Sequence, residues 1–307
     1  MFTDYDVIVI GSGCAGLAAG IYTSRAGFST LIMERKTMGG ELMNRQLIEN
    51  YPGFAAGVQG PDLGSAMLEQ AASFGTDIEV ADVIEITAKN GFKTVKTDKH
   101  TRTCKAIVIA TGSNPRKLGI PGEDELTNKG VFFCATCDGP KLAEKSVVVA
   151  GAGDSGITEA IHLVKLGCKV TILELLPAPK ASKVLLDRAD TDPSIEIRCG
   201  VKILEITGEE WVDAVEIQTV DTGARSRLDV AGILVRIGLI PNTMFLRDSL
   251  VLDPLGQIPV NENMETAIKG IFAAGDVRQH SPVQMATAVG DGVTAAMALG
   301  KYMASLG

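Results

Sequence analysis

Residues 5–27, YDVIVIGSGCAGLAAGIYTSRAG, decide the fold. A β-branched run, Val7 to Ile10, stops at Gly11; glycines follow at Gly13 and Gly16, and a helical pattern takes over. G-x-G-x-x-G between a strand and a helix is the fingerprint of dinucleotide binding. Gly11 allows the tight turn, Gly13 leaves room for a pyrophosphate against the backbone, and Gly16 lets helix and strand pack closely. The next strand, STLIME, ends at Glu34, 23 residues after Gly11. A carboxylate at that offset accepts hydrogen bonds from a ribose diol.

The unit returns at residues 146–167, SVVVAGAGDSGITEAIHLVKLG, with Gly151, Gly153 and Gly156. The strand KVTILE then ends at Glu174, again 23 residues after the first glycine. One such motif is weak evidence; two with the same strand, helix and acid are strong. A further echo supports duplication. CKAIVIATGSNPR (104–116) and VAGILVRIGLIPN (230–242) both read as a buried strand, a Gly and then a Pro, and GIFAAGD (270–276) is one more short strand ending in Gly-Asp.

These patterns predict an α/β chain of two Rossmann-like dinucleotide-binding domains, the second inserted into the first. The expected division is 1–116 and 243–307 for the outer domain and 117–242 for the inner one. Pro115, Pro121 and Gly122 mark one crossing, and GLIPNT marks the other. A final helix is expected from about Met285 to Ser305.

Composition narrows the function classes. The 307 residues are 46% hydrophobic and 21% charged, values of a globular chain with a large core. The formal net charge of −8 argues against a nucleic-acid partner, because phosphate backbones are bound chiefly by basic surface. No apolar run reaches the roughly 18 residues of a membrane span. The opening MFTDYDVIVIG carries an acid and passes directly into a strand, unlike a signal peptide. A cytoplasmic protein is expected.

Six cysteines stand at 14, 104, 134, 137, 168 and 199. Only Cys134 and Cys137 are close, in FFCATCDGP just before the second fingerprint. A zinc site would need a second Cys or His pair, and His100, His162 and His280 are scattered. No metal is expected. A reversible disulfide is the stronger reading. Asp138 follows directly, and a carboxylate beside a thiol pair can exchange the proton that thiol–disulfide chemistry requires. Two dinucleotide sites and one redox disulfide define a relay. A reduced nicotinamide donates two electrons, the disulfide accepts two, and a flavin between them does the hydride chemistry that side chains cannot.

With those residues in view, the chain resembles the low-molecular-weight thioredoxin reductase family along essentially its whole length. The matching segments are GSGCAGLAAGIYTSRAG, MGGELMNRQLIENYPGF, CATCDG, GAGDSGITEA and GIFAAGDV followed by VQMATAVGDG. The resemblance implies FAD on the first and last segments, lined by Gly11, Gly13, Gly16, Glu34, Gly39, Gly40, Asn50, Asp276, Gln284 and Met285. It maps the family's acid onto Asp138, and implies a homodimer and thioredoxin or a thioredoxin-like protein as the partner. A reduced nicotinamide would occupy Gly151, Gly153, Gly156 and Glu174.

Four departures matter. Where NADPH-dependent members carry a basic HRR-x-x-x-R stretch, this chain reads ELLPAPK from Glu174 to Lys180. Leu175 and Leu176 replace the arginines that would hold a 2′-phosphate, so NADH is expected over NADPH. Val283 stands where the family has Arg, Glu41 where it has Gln, and Cys14 where it has Pro. Cys14, Cys104, Cys168 and Cys199 are expected to be small buried hydrophobes, the last three at strand starts or ends. Because one cysteine-bearing domain must serve both flavin and protein substrate, residues about 117–242 are expected to rotate against the rest.

Other readings keep the fold. One draws electrons from ferredoxin or another reduced flavin; another is an FAD-dependent dithiol oxidase that uses oxygen. The intact second glycine motif with Glu174 argues against both.

Overall fold

A computed structural model describes residues 3–45, 47–89, 91–133, 135–246 and 249–306, without the side chains of Thr136 and Cys137. Two compact units emerge: Met1–Asn114 with Ile240–Gly307, and Pro115–Leu239.

In the first unit, Tyr5–Ile10 lies between Thr30–Glu34 and Thr101–Ile109, both parallel to it. Asp77–Val80 extends the sheet beyond Thr30–Glu34. On the other side, Ile271–Ala273 adds in parallel to Thr101–Ile109, which also pairs with the antiparallel hairpin of Phe92–Thr97 and Val83–Lys89. Strand alternation sends successive side chains to opposite faces. Val7 and Val9 enter a core with the helices Cys14–Arg25 and Met285–Ala304, while Ile8 and Ile10 enter a second core with Leu31, Ile107 and Leu246. Small residues bring the two helices together: a side chain on Gly292 would strike the carbonyl of Ala15.

The second unit repeats the plan. Its parallel sheet runs Ile195–Cys199, Lys169–Glu174, Ser146–Ala150, Gly232–Val235, Val131–Phe132. Val147 and Val149 pack with Leu163 of the helix Asp154–Lys165. Val148 and Ala150 face Ile206 and Val215 of an antiparallel three-stranded sheet, Val201–Thr207, Ala214–Thr219 and Arg225–Asp229. In both units the strand order reverses at the strand that precedes the glycine turn, Tyr5–Ile10 or Ser146–Ala150, the point where such sheets bind ligands at the strands' carboxyl ends.

The chain passes between units at Ser113–Pro115 and Leu239–Pro241, which pair as a two-stranded ladder. Asn242 N–H donates to the Gly112 carbonyl at 2.9 Å, and Arg116 N–H to that of Gly238 at 2.8 Å. Among the described residues, no helix is long and apolar enough to cross a membrane.

Candidate dinucleotide sites and redox motif

In the first unit, Gly11 turns the chain out of Tyr5–Ile10 at φ +103°. The third glycine is required by closeness: a Cβ on Gly16 would strike the Gly11 carbonyl oxygen. On Gly13 a Cβ would meet no atom within 4 Å. Gly13 is also the N-cap of the helix Cys14–Arg25, with no side chain capping it and no acid in the first turn. Open space before uncapped N–H groups is a cradle for a phosphate, so these residues fit the pyrophosphate of FAD.

Glu34 is held by the chain itself. Its Oε2 accepts hydrogen bonds from Ser12 N–H at 2.9 Å and Ser12 Oγ at 2.8 Å, and its Oε1 accepts from Lys36 N–H at 3.2 Å. Ser12 is fully buried, and its Oγ accepts from Gly39 N–H at 3.0 Å. That chain of bonds ties the acid, the glycine turn and the Gly39-Gly40 segment together. Gly40 lies directly against Gly13, where a Cβ would come within 3.1 Å of the Gly13 Cα.

Other residues expected from the sequence lie in the same unit. Asn50 Nδ2 donates to Gln284 Oε1 at 2.9 Å, and Gln284 is the N-cap of the helix that begins at Met285. Asp276 follows the Gly275 turn. Burial, with Asp291 and Glu41 nearby, pushes its carboxyl up to about 6, against the opposing pull of Ser281 and Arg278. Sequence reasoning missed the brace behind it. Arg278 grips Asp291 through two bonds, Nε–Oδ2 at 2.6 Å and Nη2–Oδ1 at 2.9 Å, and the same carboxylate accepts from Gly275 N–H at 3.1 Å. Cys14 is buried in this neighbourhood. Desolvation, with a smaller contribution from Asp276, drives its thiol up to about 12, consistent with an inert apolar role. Val283 holds a left-handed φ of +57° just before the Gln284 cap, an uncommon conformation for a β-branched residue.

The second unit reproduces the backbone of the turn. Gly151 has φ +103°, a Cβ on Gly156 would strike the Gly151 carbonyl, and one on Gly153 would meet nothing within 4 Å. Glu174 Oε2 accepts from Ala152 N–H at 2.8 Å, and Oε1 from Leu176 N–H at 3.0 Å. The loop beyond the acid folds back, with Lys180 N–H donating to the Ala152 carbonyl at 3.0 Å. Leu175 is 58% exposed and Leu176 38%. Ala152 has no hydroxyl to match that of Ser12, and the helix opens on Asp154, whose Oδ1 accepts from Ser182 N–H at 2.6 Å.

Of the redox motif, Cys134 lies outside the described residues. The backbone of Cys137 lies in the short helix Ala135–Asp138, and its side chain is outside the description. Asp138 Oδ1 accepts from Lys141 Nζ at 2.8 Å, and that ammonium lies 5.2 Å from the centre of the Phe132 ring. The remaining cysteines are unpaired thiols. Cys104 lies inside the strand Thr101–Ile109 rather than at its end, and burial lifts its thiol to about 12. Cys199 is only half-buried, because Ile195–Cys199 is the outer strand of its sheet.

Two glycine turns, each with a clamped acid, and one thiol pair form the equipment of a flavin-linked disulfide oxidoreductase. Comparison with known proteins agrees. Residues 5–292 match the pyridine nucleotide-disulphide oxidoreductase family. Thioredoxin reductase of Listeria monocytogenes serovar 1/2a is 40% identical over 304 residues, covering 98% of this chain and 95% of the relative. The crystal structure of Lactococcus lactis thioredoxin reductase superposes with a TM-score of 0.95 at 37% identity, over 98% of this chain and all of that one. That of T. acidophilum thioredoxin reductase gives 0.93 at 34% identity, over the whole of both chains. The chain belongs to the pyridine nucleotide-disulphide oxidoreductases and, within them, to the low-molecular-weight thioredoxin reductases. It is a flavoprotein oxidoreductase that uses FAD and reduces disulfides.

Proposed function

We propose that this enzyme takes its electrons from NADH in preference to NADPH and delivers them through the Cys134–Cys137 disulfide to thioredoxin or a thioredoxin-like protein. FAD, when bound, supplies the two-electron hydride chemistry that the side chains lack. The first fingerprint with Glu34, Gly39, Gly40, Asn50, Asp276, Gln284 and Met285 holds it, and the second fingerprint with Glu174 holds the nicotinamide nucleotide. In the reductive step the Cys134–Cys137 S–S bond breaks, and two electrons and two protons convert it to two thiols, with Asp138 as the proton-exchanging group. One thiolate then attacks the partner's disulfide, forming a mixed disulfide, and the second cysteine resolves it, so that the partner leaves with two thiols and the enzyme's S–S bond is restored. The proposal extends to a homodimer working in the reducing cytoplasm, a setting in keeping with the free thiols of Cys14, Cys104, Cys168 and Cys199.

The observation that carries the choice of donor is the surrounding of Glu174. Its carboxylate is fixed by Ala152 N–H and Leu176 N–H at the end of its strand. A ribose diol can donate to its remaining lone pairs, whereas a 2′-phosphate would meet like charge, at a cost of several kcal/mol to order of magnitude. Leu175 and Leu176 offer no cation, and exposed Lys180 is a flexible point charge rather than a planar clamp. Steady-state rates with both nucleotides test the reading. NADH should exceed NADPH in kcat/KM by at least about tenfold, ~1.4 kcal/mol, and Glu174→Ala with Leu175→Arg and Leu176→Arg should narrow or invert the ratio. NADPH equal or better removes Glu174 as the selector, and reduction by neither points to ferredoxin or another reduced flavin.

A further inference from the structure

A buried ion pair in the second unit grips the redox motif from both sides. Glu159 lies on the helix Asp154–Lys165 and Arg236 just beyond the strand Gly232–Val235; Arg236 Nη2 lies 3.2 Å from Glu159 Oε1, with both side chains more than nine-tenths buried. Arg236 Nη1 donates to the carbonyl oxygen of Phe133 at 2.9 Å. Glu159 Oε2 accepts from Ala135 N–H. Phe133 and Ala135 are the two neighbours of Cys134. The main chain of Arg236 is itself anchored to the nucleotide turn: its N–H donates to the Ala150 carbonyl at 2.8 Å, and its carbonyl is what forbids a Cβ on Gly151.

We propose that Glu159 and Arg236 are positioning residues for the redox disulfide, holding the peptide units on either side of Cys134 and setting the balance between its oxidised and reduced forms. The proposal rests on Cys134 and Cys137 being the redox pair. The physical argument has two parts. Burying two charges is costly, and a buried pair adds little stability over a well-packed apolar pair; this one spends its spare hydrogen bonds on a backbone that must keep one geometry through repeated opening and closing of an S–S bond. The pair also places one charge of each sign against the peptide groups of Phe133 and Ala135. A carboxylate disfavours a nearby thiolate and a guanidinium favours it, and whatever stabilises the thiolate stabilises the reduced form. The amide of Ala135 is also committed to Glu159.

Opposite charges make opposite predictions. In holoenzyme equilibrated with glutathione or dithiothreitol buffers, with thiols trapped by alkylation, Glu159→Gln should make the Cys134–Cys137 couple more oxidising. Arg236→Met should make it more reducing. Each shift should be at least tenfold in the equilibrium constant, about 30 mV for a two-electron couple. The charge-free double variant Glu159→Gln/Arg236→Met keeps the volume and is expected to fold. It should restore the equilibrium constant to within threefold of the parent, while the ratio of disulfide turnover to direct dye reduction by the flavin falls at least tenfold in kcat. Shifts of the same sign in the two single variants, or no shift with an unchanged turnover ratio, overturn the proposal. Cys134→Ser serves as the reference: if it still reduces the disulfide substrate, the assignment of the redox pair fails, independently of Glu159 and Arg236.

Discussion

Asp276 occupies a position where charge is unwelcome. The folded chain holds its carboxyl proton up to about pH 6, mainly because of burial, whereas an ordinary aspartate releases it near 3.8. The stability contributed by that proton is present in full below about 3.8 and is lost as pH rises through about 6. The difference is on the order of 3 kcal/mol. FAD-stripped protein should therefore lose stability across that window in urea titrations, and Asp276→Asn, uncharged and of the same shape, should flatten the slope. An identical pH dependence in both proteins would show that Asp276 is not the titrating group. Position 276 was legible from sequence as a Gly-Asp return, yet its brace was not. Arg278 and Asp291 come from a loop and a helix, and no local spacing announces that they meet. Glu159 and Arg236 escaped for the same reason, since they are brought together only by the packing of a helix against a parallel sheet.

At the scale of the element, the fingerprint turns were the most readable part of the chain. Their constraints lie within six residues and act through the backbone, so glycine spacing alone carries them. Glu34 and Glu174 stood out by offset, but the clamp they form was not legible: each holds the N–H of the residue between the first two glycines, Ser12 or Ala152. The three glycines of one turn also separate binding from folding. Gly16→Ala drives a methyl into the Gly11 carbonyl and should cost the unliganded chain about 2 kcal/mol or more. Gly13 has an extended backbone at φ −72° and open space where a Cβ would go. Gly13→Ala should leave the unliganded chain as stable as before, or slightly more so, while lowering FAD occupancy. Thermal unfolding of stripped protein and FAD content after purification read the two effects separately. Equal damage to stability in both variants would contradict the geometry.

For the whole molecule, the two-unit reading came from repetition, since a duplicated strand–turn–helix–strand–acid pattern is visible over long distances where single contacts are not. Pattern could not place the redox motif in space, and Cys134 remains outside the described residues. The proposed relay requires the cysteines and the nicotinamide site, both on the second unit, to serve one flavin on the first. A cross-link engineered between the units should thus abolish disulfide turnover while FAD stays bound, with activity restored on cleaving the link. Full turnover in the linked enzyme would refute the proposed rotation.

The nesting of one unit within the other sets an order of assembly during synthesis. Residues 115–239 are contiguous, so that unit has all its strands once it has cleared the ribosome. The surrounding unit begins first yet waits for Ile271–Ala273 to extend its sheet and for Met285–Ala304 to cover its helix. The N-terminal segment must therefore stay open while a later-made neighbour matures, reversing the usual vectorial sequence in which what is translated first folds first. The hydrogen bond between Asn242 and Gly112 marks where the late segment rejoins the early one. Nascent chains stalled after about residue 270 should carry a protease-resistant inner unit inside a still-digestible outer one.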